Sequence, residues 1–470
     1  EIMPSLVGSE MCIRDREGTQ VISFLFFTYK KIPMYRLNPF VHIYQRDETV
    51  ALFNPLNLST FYCGRKEYED LLKNPDTSLI KEEFLVEGDF NALSYFQNQF
   101  KREHEKKHLS VVYFLLTSAC NYQCRYCFVE SRMDYRAHTF MTKEVIDKAI
   151  ELLKRNVDGN AIDILFYGGE PLLNFDMLGY TVEKVEQSGI NAFFSIITNG
   201  SIMTDIMAEF IKKHHIQITV SLDGNKETND KLRIDNNGNG TYEKVVSTIK
   251  KLKKHDILPG ISCTLSSHNQ CNAGSIIPVL EKFGIRSFGY NLPAENDNIS
   301  FTQGEKKILV RNMLRAEEEA FQKRILEDRI INRRLKAFVE KKNWTRDCAG
   351  YRNQIVIAPD GKVGVCHGLW PDYLNASENS YFDLDVSYNG KIVDHPVWME
   401  WSSRTPLNMP VCWTCAGIGL CGGGCAKNSL LRKGSIWEVD DDICLLMEES
   451  VPWIIWKYYD HKVKPFVNGK

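Results

Sequence analysis

Between about Leu109 and Lys342 the sequence alternates apolar, strand-like runs with longer segments of helical periodicity. The strand-like runs are VVYFLL, IDILFY, AFFSIIT, IQITVSL, ISCTL and RSFGYNL. A typical helical segment runs from Lys143 to Leu153, with Thr142 placed to cap its amino terminus. Strands separated by helices build parallel sheets, because each helix returns the chain to the same end. The six repeats therefore predict an α/β fold with a parallel barrel, whose functional loops would follow the carboxyl ends of its strands.

Composition excludes several classes of protein. The length of 470 residues allows two to three domains. The net charge of -2 carries no signature of nucleic-acid binding, and no apolar run is long enough to span a membrane. Ten of the 14 cysteines fall into cluster-like spacings in a long chain with no convincing export signal. We therefore expect a cytoplasmic protein without disulfides and without nucleic-acid or membrane partners.

Four boundaries divide the chain. Residues 1–33 begin with a stretch that resembles a translated adapter and has no hydrophobic periodicity, so we expect an artefactual or disordered leader before Met34. Residues 34–108 hold the strand-like FVHIY and TVALFN, then helical patterns at 67–73 and 93–106, and predict a small α+β module. We expect the barrel at 109–342, with a long closing helix from Gly304 to Lys342 broken near Asp328. A cysteine-rich domain at 343–450 and a tail at 451–470 complete the prediction.

Three cysteines follow the first strand-like run, in the sequence ACNYQCRYC. Cys120, Cys124 and Cys127 could hold three irons of a four-iron cluster and leave the fourth iron open, or form half of a structural zinc site. The CxxxCxxC loop resembles that of the radical S-adenosylmethionine (radical SAM) superfamily, in which Tyr126 occupies the aromatic position before the third cysteine. The resemblance implies that the six repeats form a partial (β/α)6, TIM-like barrel. It also implies a [4Fe-4S] cluster and S-adenosylmethionine, which together generate an adenosyl radical that abstracts a hydrogen atom.

A glycine-rich motif ends the second strand-like run, in the sequence YGGEP. Gly168 and Gly169 let the backbone approach a ligand, and Glu170 supplies a carboxylate that can accept from a cationic amine. A tight turn alone would explain the same residues. The motif resembles the one that holds the methionyl amino group of S-adenosylmethionine in the radical SAM superfamily.

Two further motifs end the third and fourth strand-like runs, in the sequences TNG and SLDG. A hydroxyl and a guanidinium converging on a carboxylate form a strong fork. Turn chemistry after buried strands explains Gly200 and Gly224 but not the whole ordered series of motifs. By resemblance to the superfamily, Ser221 and Arg233 contact the carboxylate of S-adenosylmethionine, and Asn199 is a candidate for its ribose.

Seven cysteines stand in the C-terminal part, at Cys348, Cys366, Cys412, Cys415, Cys421, Cys425 and Cys444. Their order and spacing resemble the SPASM domain of peptide and sulfatase maturases, which carries two auxiliary [4Fe-4S] clusters. Zinc could use the same thiolates. The resemblance assigns one cluster to Cys412, Cys415, Cys421 and Cys444. It assigns the other to Cys348, Cys366 and Cys425, which leaves that cluster one thiolate short.

The combined resemblance implies a radical SAM maturase that installs a thioether or other cross-link in a ribosomally synthesised peptide. Its partners would be a precursor peptide or protein and an electron donor such as flavodoxin or ferredoxin. The alternatives are an anaerobic sulfatase maturase that forms formylglycine and a non-catalytic iron–sulfur or zinc scaffold. The module at 34–108 either captures the leader of a precursor as an added strand or only shields the barrel. No general base stands out, because Asp360, His367, Asp372 and several tyrosines could reach the barrel mouth.

Overall fold

The computed structural model describes residues 35–71, 77–87, 90, 91, 94, 95, 98, 108–127, 139–267, 269–292, 301–351, 353–370 and 380–464. The expected leader at 1–33, most of the helical pattern at 93–106 and the candidate base Asp372 lie outside these residues.

The strands of the described residues are β1 Tyr35–Leu37, β2 His42–Arg46, β3 Thr49–Asn54, β4 Ser59–Gly64, β5 Leu85–Glu87, β6 Val111–Thr117, β7 Ile162–Gly168, β8 Ala192–Thr198, β9 Gln217–Ser221, β10 Gly260–Thr264, β11 Ser287–Asn291, β12 Leu326–Glu327, β13 Gln354–Ile357, β14 Lys362–Gly364 and β15 Leu384–Asp385. The α-helices are α1 Arg65–Leu71, α2 Thr77–Lys81, α3 Lys143–Asn156, α4 Phe175–Ser188, α5 Asp205–Lys213, α6 Lys226–Leu232, α7 Tyr242–Lys254, α8 Ile277–Phe283, α9 Gln303–Gln322, α10 Ile331–Val339, α11 Pro396–Ser403, α12 Ile418–Cys421, α13 Ala426–Lys433 and α14 Asp441–Tyr458.

A ten-stranded sheet organises the described residues, in the order β12-β11-β10-β9-β8-β7-β6-β13-β14-β15. The six predicted strands are β6 to β11, and each pairs in parallel with the next. The predicted α/β fold is therefore confirmed. β12 and β13 extend the parallel part at its two edges, so the cysteine-rich region continues the barrel sheet rather than standing apart from it.

The helix α3 forms because apolar residues recur at helical spacing along one face. Ile146, Ala149, Ile150 and Leu153 are buried, and burying each large aliphatic side chain stabilises the fold by about 1.5–3 kcal/mol. The Thr142 hydroxyl accepts from the Val145 amide, as the predicted cap requires.

The predicted long helix from Gly304 to Lys342 is broken, and the break contains a strand. Arg324 adopts a left-handed conformation (φ 56°) after the end of α9. The buried carboxylate of Glu327 in β12 then accepts from the amides of Tyr290, Ile330 and Ile331. These bonds fix β12 beside β11 and hold the first amides of α10, which explains why the two helices cannot merge.

The amino-terminal module consists of the antiparallel sheet β2-β3-β4 and the pair β1-β5. Phe53 packs into the main core, whereas Leu52 belongs to a small separate core on the opposite face of the sheet. The Tyr62 hydroxyl donates to the Ile455 carbonyl at 2.8 Å, and Arg46 forms a two-pronged ion pair with Asp460. The module is thus fastened to α14 and to the turn that follows it.

The end of the chain differs from the expected tail. The predicted boundary between 450 and 451 falls inside α14, which continues to Tyr458. Val451, Ile454 and Ile455 are buried in the main core, because the apolar face of the helix continues past the boundary. No helix of the described residues is both long enough and apolar enough to cross a membrane.

Candidate functional site

The predicted motifs all follow carboxyl ends of parallel strands. The cysteine loop follows β6, the GGE motif follows β7, TNG follows β8 and SLDG follows β9. Because these strands are parallel neighbours, the motifs meet at one edge of the sheet.

The cysteine loop is held by backbone bonds to the segment after α6. The Gln123 amide donates to the Ile234 carbonyl at 2.9 Å, and the Arg125 amide donates to the Leu232 carbonyl at 3.0 Å. Burial raises the pKa of the Cys124 thiol to about 12, although the charge of Arg233 opposes the rise. The Cys124 thiol is therefore neutral in the protein alone, and a metal must displace its proton.

The two glycines of the GGE motif allow the motif to pack closely against the segment that precedes the cysteine loop. A Cβ atom at Gly169 would collide with the Ala119 carbonyl oxygen, and one at Gly168 would collide with that of Thr117. Gly168 also has a φ of 140°, which side chains rarely adopt. The glycines thus allow the motif to contact the backbone just before Cys120. The sequence had suggested instead that they allow the backbone to approach a ligand.

Glu170 is fully buried and ties the ends of three structural elements together. Its carboxylate accepts from the Leu172 amide at 3.0 Å, from the Thr198 hydroxyl at 2.7 Å and from the Asn199 amide at 2.7 Å. Burial raises its pKa to about 7, although these bonds favour the charged form. Its predicted contact with a methionyl amine stays a prediction.

Asn199 lies against the cysteine loop. Its side-chain amide donates to the side-chain oxygen Oδ1 of Asn121 at 3.0 Å and approaches the Cys120 sulfur at 3.7 Å. Ser221 lies half-buried at the carboxyl end of β9. The ribose and carboxylate contacts assigned to these two residues stay predictions.

Arg233 is buried in a polar group that sequence reasoning saw only in part. Its guanidinium donates to the Tyr126 hydroxyl and lies 3.6 Å from the Asp223 carboxylate. The Tyr126 hydroxyl in turn donates to Asp223 at 2.5 Å, and the Thr264 amide donates to the other Asp223 oxygen. Asp223 is part of the SLDG motif, but the sequence did not predict that it orients Arg233, because the contacts join segments that are distant in sequence.

One donor of this group remains available. The Nε atom of Arg233 is buried and has no hydrogen-bond partner in the described part of the chain. A buried guanidinium with a free N–H fits an anionic ligand such as the carboxylate of S-adenosylmethionine. The chemistry of the residues therefore fits the cofactor that the motifs predict.

The C-terminal thiols fall into two groups, within which the charge of one thiol raises the pKa of another. Cys348 is exposed as a residue, but desolvation of its thiol and then the charges of Cys425, Asp347 and Cys366 raise its pKa. This group matches the predicted three-thiolate ligand set. Its neighbour Asp347 is held by two guanidinium groups, at 2.7 Å from Arg333 and 3.0 Å from Arg334.

The second group contains the remaining four thiols. Desolvation and then the charges of Cys415 and Cys412 raise the pKa of Cys444 to about 12. Cys421 is influenced in the same way, first by desolvation and then by charges that include Cys415 and Cys444. This group matches the other predicted ligand set.

Thiolates in groups of three and four are the donors that iron–sulfur clusters use. Among the described residues, no three or more His, Cys, Asp or Glu side chains are spaced to hold a single metal ion. The assignment of each thiol to a cluster stays a prediction.

The rings of His367, Tyr113 and Tyr167 form an aromatic wall that lies near thiols of both predicted metal regions. The His367 ring stacks on Tyr113 with a centroid distance of 4.7 Å and meets Tyr167 edge-on at 5.3 Å. The pKa of Tyr167 is raised by desolvation and then by Cys127, and that of Tyr113 by desolvation and by charges that include Cys348 and Cys366. The two predicted metal regions therefore share one aromatic wall.

Two candidate bases from the sequence can now be placed. Desolvation and the charges of Lys427 and Arg329 lower the pKa of His367 to about 3, so its ring is neutral. The Asp360 carboxylate accepts from the Lys362 amide in the turn between β13 and β14.

Comparison with known proteins identifies one domain of the chain. Residues 114–267, from β6 to the end of β10 and just beyond, match the model of the radical SAM superfamily. The chain carries a radical SAM domain. Members of this superfamily use a [4Fe-4S] cluster and S-adenosylmethionine, and the cysteine-rich C-terminal region is compatible with a SPASM domain and auxiliary clusters.

Two curated relatives extend the likeness beyond this domain. The radical SAM cyclopropyl synthase TigE of Paramaledivibacter caminithermalis is 24% identical over 432 residues, which cover 85% of this chain and 87% of TigE. A cysteine-type anaerobic sulfatase-maturating enzyme of Clostridium novyi is 23% identical over 343 residues, covering 68% of this chain and 89% of the relative.

Solved structures show the same fold. The structure of anSMEcpe with bound AdoMet and a peptide superposes with a TM-score of 0.61 at 19% identity, covering 75% of this chain and 99% of that chain. Streptococcus suis SuiB bound to its precursor peptide SuiA gives a TM-score of 0.52 at 15% identity, covering 87% and 100%. With the curated relatives, these likenesses place the protein among radical SAM enzymes of the maturase type.

Proposed function

We propose that the protein modifies a ribosomally synthesised precursor peptide and installs a thioether or other cross-link. The observation that carries this proposal is the aromatic wall near both thiol regions, since Tyr167 is influenced by the charge of Cys127, Tyr113 by the charges of Cys348 and Cys366, and both rings contact His367. A substrate at this wall would be close to both regions during one reaction. The likeness to TigE, which covers 85% of the chain, includes residues beyond the shared barrel.

The residues of the chain would prepare the site in three ways. Arg233, with Tyr126 and Asp223 fixing its guanidinium, would offer its free Nε–H to the carboxylate of S-adenosylmethionine. Glu170 would hold the ends of β7 and β8 at a set spacing. When bound, a reduced four-iron cluster and S-adenosylmethionine would supply the 5′-deoxyadenosyl radical, and auxiliary clusters would accept the remaining electron of the substrate.

The amino-terminal module supplies the feature that favours a leader-bearing substrate. β2 and β4 are the outer strands of its sheet, so each has one edge that pairs with no other described strand. An extended peptide can add to such an edge through main-chain hydrogen bonds. SuiB, which shares the fold over 87% of this chain, was solved with its precursor peptide.

Formylglycine formation on a sulfatase is the second candidate function. Sulfatase-maturating relatives match the chain, and anSMEcpe, which shares the fold, was solved with a peptide bound. The ordered series from Ser221 to Arg233 resembles that of these enzymes. This observation gives the alternative support equal to that of the first proposal.

One experiment distinguishes the two functions. The protein, reconstituted anaerobically with iron and sulfide, is incubated with S-adenosylmethionine and reduced flavodoxin or ferredoxin. It is offered either small peptides encoded beside its gene or peptides that span a sulfatase maturation site. Loss of two hydrogens from a neighbouring peptide, with no new aldehyde, supports the peptide maturase. An aldehyde that reacts with a hydrazide on the sulfatase peptide supports the alternative and contradicts the proposal.

A leader-truncated version of the same peptide serves as the control for the module. If the module captures the leader, truncation lowers the rate of modification and leaves cofactor cleavage in the absence of peptide unchanged. Equal rates with full-length and truncated peptides would make the module a structural cap.

A further inference from the structure

Arg329 lies at the same edge of the sheet as the predicted cofactor motifs. It follows β12, which pairs in parallel with β11, and the Asp328 amide continues this pairing by donating to the Phe288 carbonyl. Arg329 therefore lies just beyond the carboxyl end of a parallel strand, where barrel enzymes place their functional groups.

The side chain of Arg329 runs along the inner face of β11. Phe288 and Tyr290 are buried, and the Tyr290 hydroxyl donates to the Ala273 carbonyl outside the sheet. Because side chains alternate along a strand, Gly289 faces the opposite, inner side. A Cβ atom at Gly289 would lie 2.8 Å from the Arg329 Cβ and 3.2 Å from its Cδ. A glycine at position 289 therefore leaves the space that the Arg329 side chain occupies against β11.

Within the described part of the chain, the guanidinium of Arg329 has no counter-ion. Arg333 and Arg334, on the following helix, both pair with Asp347. Arg329 forms no such ion pair or side-chain hydrogen bond with any residue that the structure describes, and it is exposed. An exposed arginine without a counter-ion is often only a solvated surface residue. Arg329 differs from such a residue if its charge affects groups inside the predicted site.

The positive charge of Arg329 influences two tyrosines of the aromatic wall. It opposes the rise that desolvation and Cys127 cause in the pKa of Tyr167, and it opposes the rise that desolvation causes in that of Tyr113. Tyr113 and Tyr167 alternate with the buried Phe114 and Phe166, so they too point to the inner face. The inner surface thus combines the Arg329 guanidinium, which no described carboxylate neutralises, with the aromatic wall.

We propose that Arg329 is the substrate-selecting residue of the barrel mouth and binds a carboxylate of the peptide, with the neighbouring residue lying on the aromatic wall. The carboxylate is either an acidic side chain or the free carboxyl terminus of the peptide. A guanidinium is suited to this ligand because its planar fork can bind both carboxylate oxygens. This inference rests on the proposed peptide substrate.

A competing explanation is that Arg329 balances the charge of the metal cluster held by the nearby thiols. The test therefore measures peptide binding and the cluster separately. The anaerobic, reconstituted protein with S-adenosylmethionine but without reductant is offered an equimolar mixture of peptides. These peptides share one sequence, an acetylated amino terminus and an amidated carboxyl terminus, and differ in a central Glu, Asp, Gln or Lys. A fifth peptide carries Gln and a free carboxyl terminus.

The retained peptides are counted by mass spectrometry. The wild type should retain the Glu or Asp peptide, or the one with the free terminus, roughly two- to fivefold over the amidated Gln peptide, as expected for a partly exposed ion pair. Higher salt should reduce this preference. Arg329→Gln should abolish the preference, and Arg329→Lys should keep part of it. The control Arg286→Gln, which removes an exposed arginine next to the amino end of β11, should keep all of it.

The outcomes distinguish carboxylate binding by Arg329 from a role at the cluster, and both from the proposed function. Equal retention of charged and neutral peptides by the wild type would overturn the role of Arg329, as would an unchanged preference in Arg329→Gln. A changed cluster absorption or electron paramagnetic resonance spectrum in Arg329→Gln with unchanged preference would assign the residue to the cluster instead. Because retention is measured without turnover, a failure of the wild type to cleave S-adenosylmethionine under reductant would contradict the proposed function alone.

Discussion

The backbone amide of Asn199 donates a 2.7 Å hydrogen bond to the carboxylate of Glu170. Two residues that the motifs assign to different parts of the cofactor are therefore bonded to each other. Because Glu170 also accepts from Thr198 and Leu172, one buried carboxylate sets the relative position of two strand ends. The cofactor site thus depends on an internal network as well as on direct contacts.

Replacing Glu170 tests this network. Glu170→Ala leaves the Asn199 amide and the Thr198 hydroxyl buried without an acceptor, at a cost of about 1–3 kcal/mol for each group. We expect a lower free energy of unfolding and weaker binding of S-adenosylmethionine. Denaturant unfolding and equilibrium dialysis measure the two effects. Glu170→Gln keeps an acceptor oxygen and should lose less stability, so equal losses in both variants would refute the network.

Gly169→Ala tests the contact between the GGE motif and the cysteine loop. The new Cβ atom would meet the Ala119 carbonyl oxygen, and the resulting shift should destabilise the fold by about 1–3 kcal/mol. The displaced loop should also bind less iron at the first cluster. Gly64→Ala is a suitable control, because nothing lies within 4 Å of its Cβ position and its φ is not in the left-handed region. Full iron content in Gly169→Ala would show that the approach is not required.

Asp223→Asn tests the group that orients Arg233. Removing the carboxylate leaves a buried guanidinium without its charge partner, a change that costs about 3–5 kcal/mol in known cases. We expect the KM for S-adenosylmethionine to rise by about tenfold or more, with a smaller change in kcat for 5′-deoxyadenosine formation. Tyr126→Phe removes only the bridging hydroxyl and should have a smaller effect. A loss of kcat at unchanged KM would exclude a positioning role.

Glu317 makes stability depend on pH at a site remote from the cofactor motifs. Burial and then the charge of Glu327 raise its pKa to about 8, whereas Lys457 opposes the rise. Between the ordinary value of 4.5 and about pH 8, the folded state therefore binds more protons than the unfolded state. This contribution to stability falls as the pH rises through that window.

The variant Glu317→Gln should remove this dependence. Its amide can still accept at the oxygen that Asn332 contacts, and it carries no charge at any pH. At pH 8 the variant should melt a few degrees above the wild type, whereas at pH 5 the two should melt together. A difference independent of pH would show that the carboxyl does not titrate in this range.

The sequence predicted the parts of the fold that depend on local patterns. The six strands and the Thr142 cap follow from apolar periodicity and capping chemistry, which neighbouring residues determine. β4 was missed because STFYCG has no clear alternation, and the continuation of α14 was missed because a domain boundary was placed within its apolar face.

The candidate site was predictable as motifs but not as contacts. The spacing of the cysteines predicted three ligand sets that stay predictions, whereas Cys263, outside these sets, is buried in the core. The bond from Tyr126 to Asp223 joins residues 97 positions apart, and the crossing of Arg329 over Gly289 depends on a two-residue strand. Neither pairing can be seen before the strands are placed side by side.

The measurement that tests the central claim most directly combines iron counting with an assay of 5′-deoxyadenosine after anaerobic reconstitution. The account predicts about twelve irons per chain, as three four-iron clusters require, and reductant-dependent cleavage of S-adenosylmethionine. Cys124→Ala should lose about four irons and all 5′-deoxyadenosine, while Cys263→Ala, outside the predicted ligand sets, should keep both. Zinc in place of iron, or cleavage that persists in Cys124→Ala, would contradict the account.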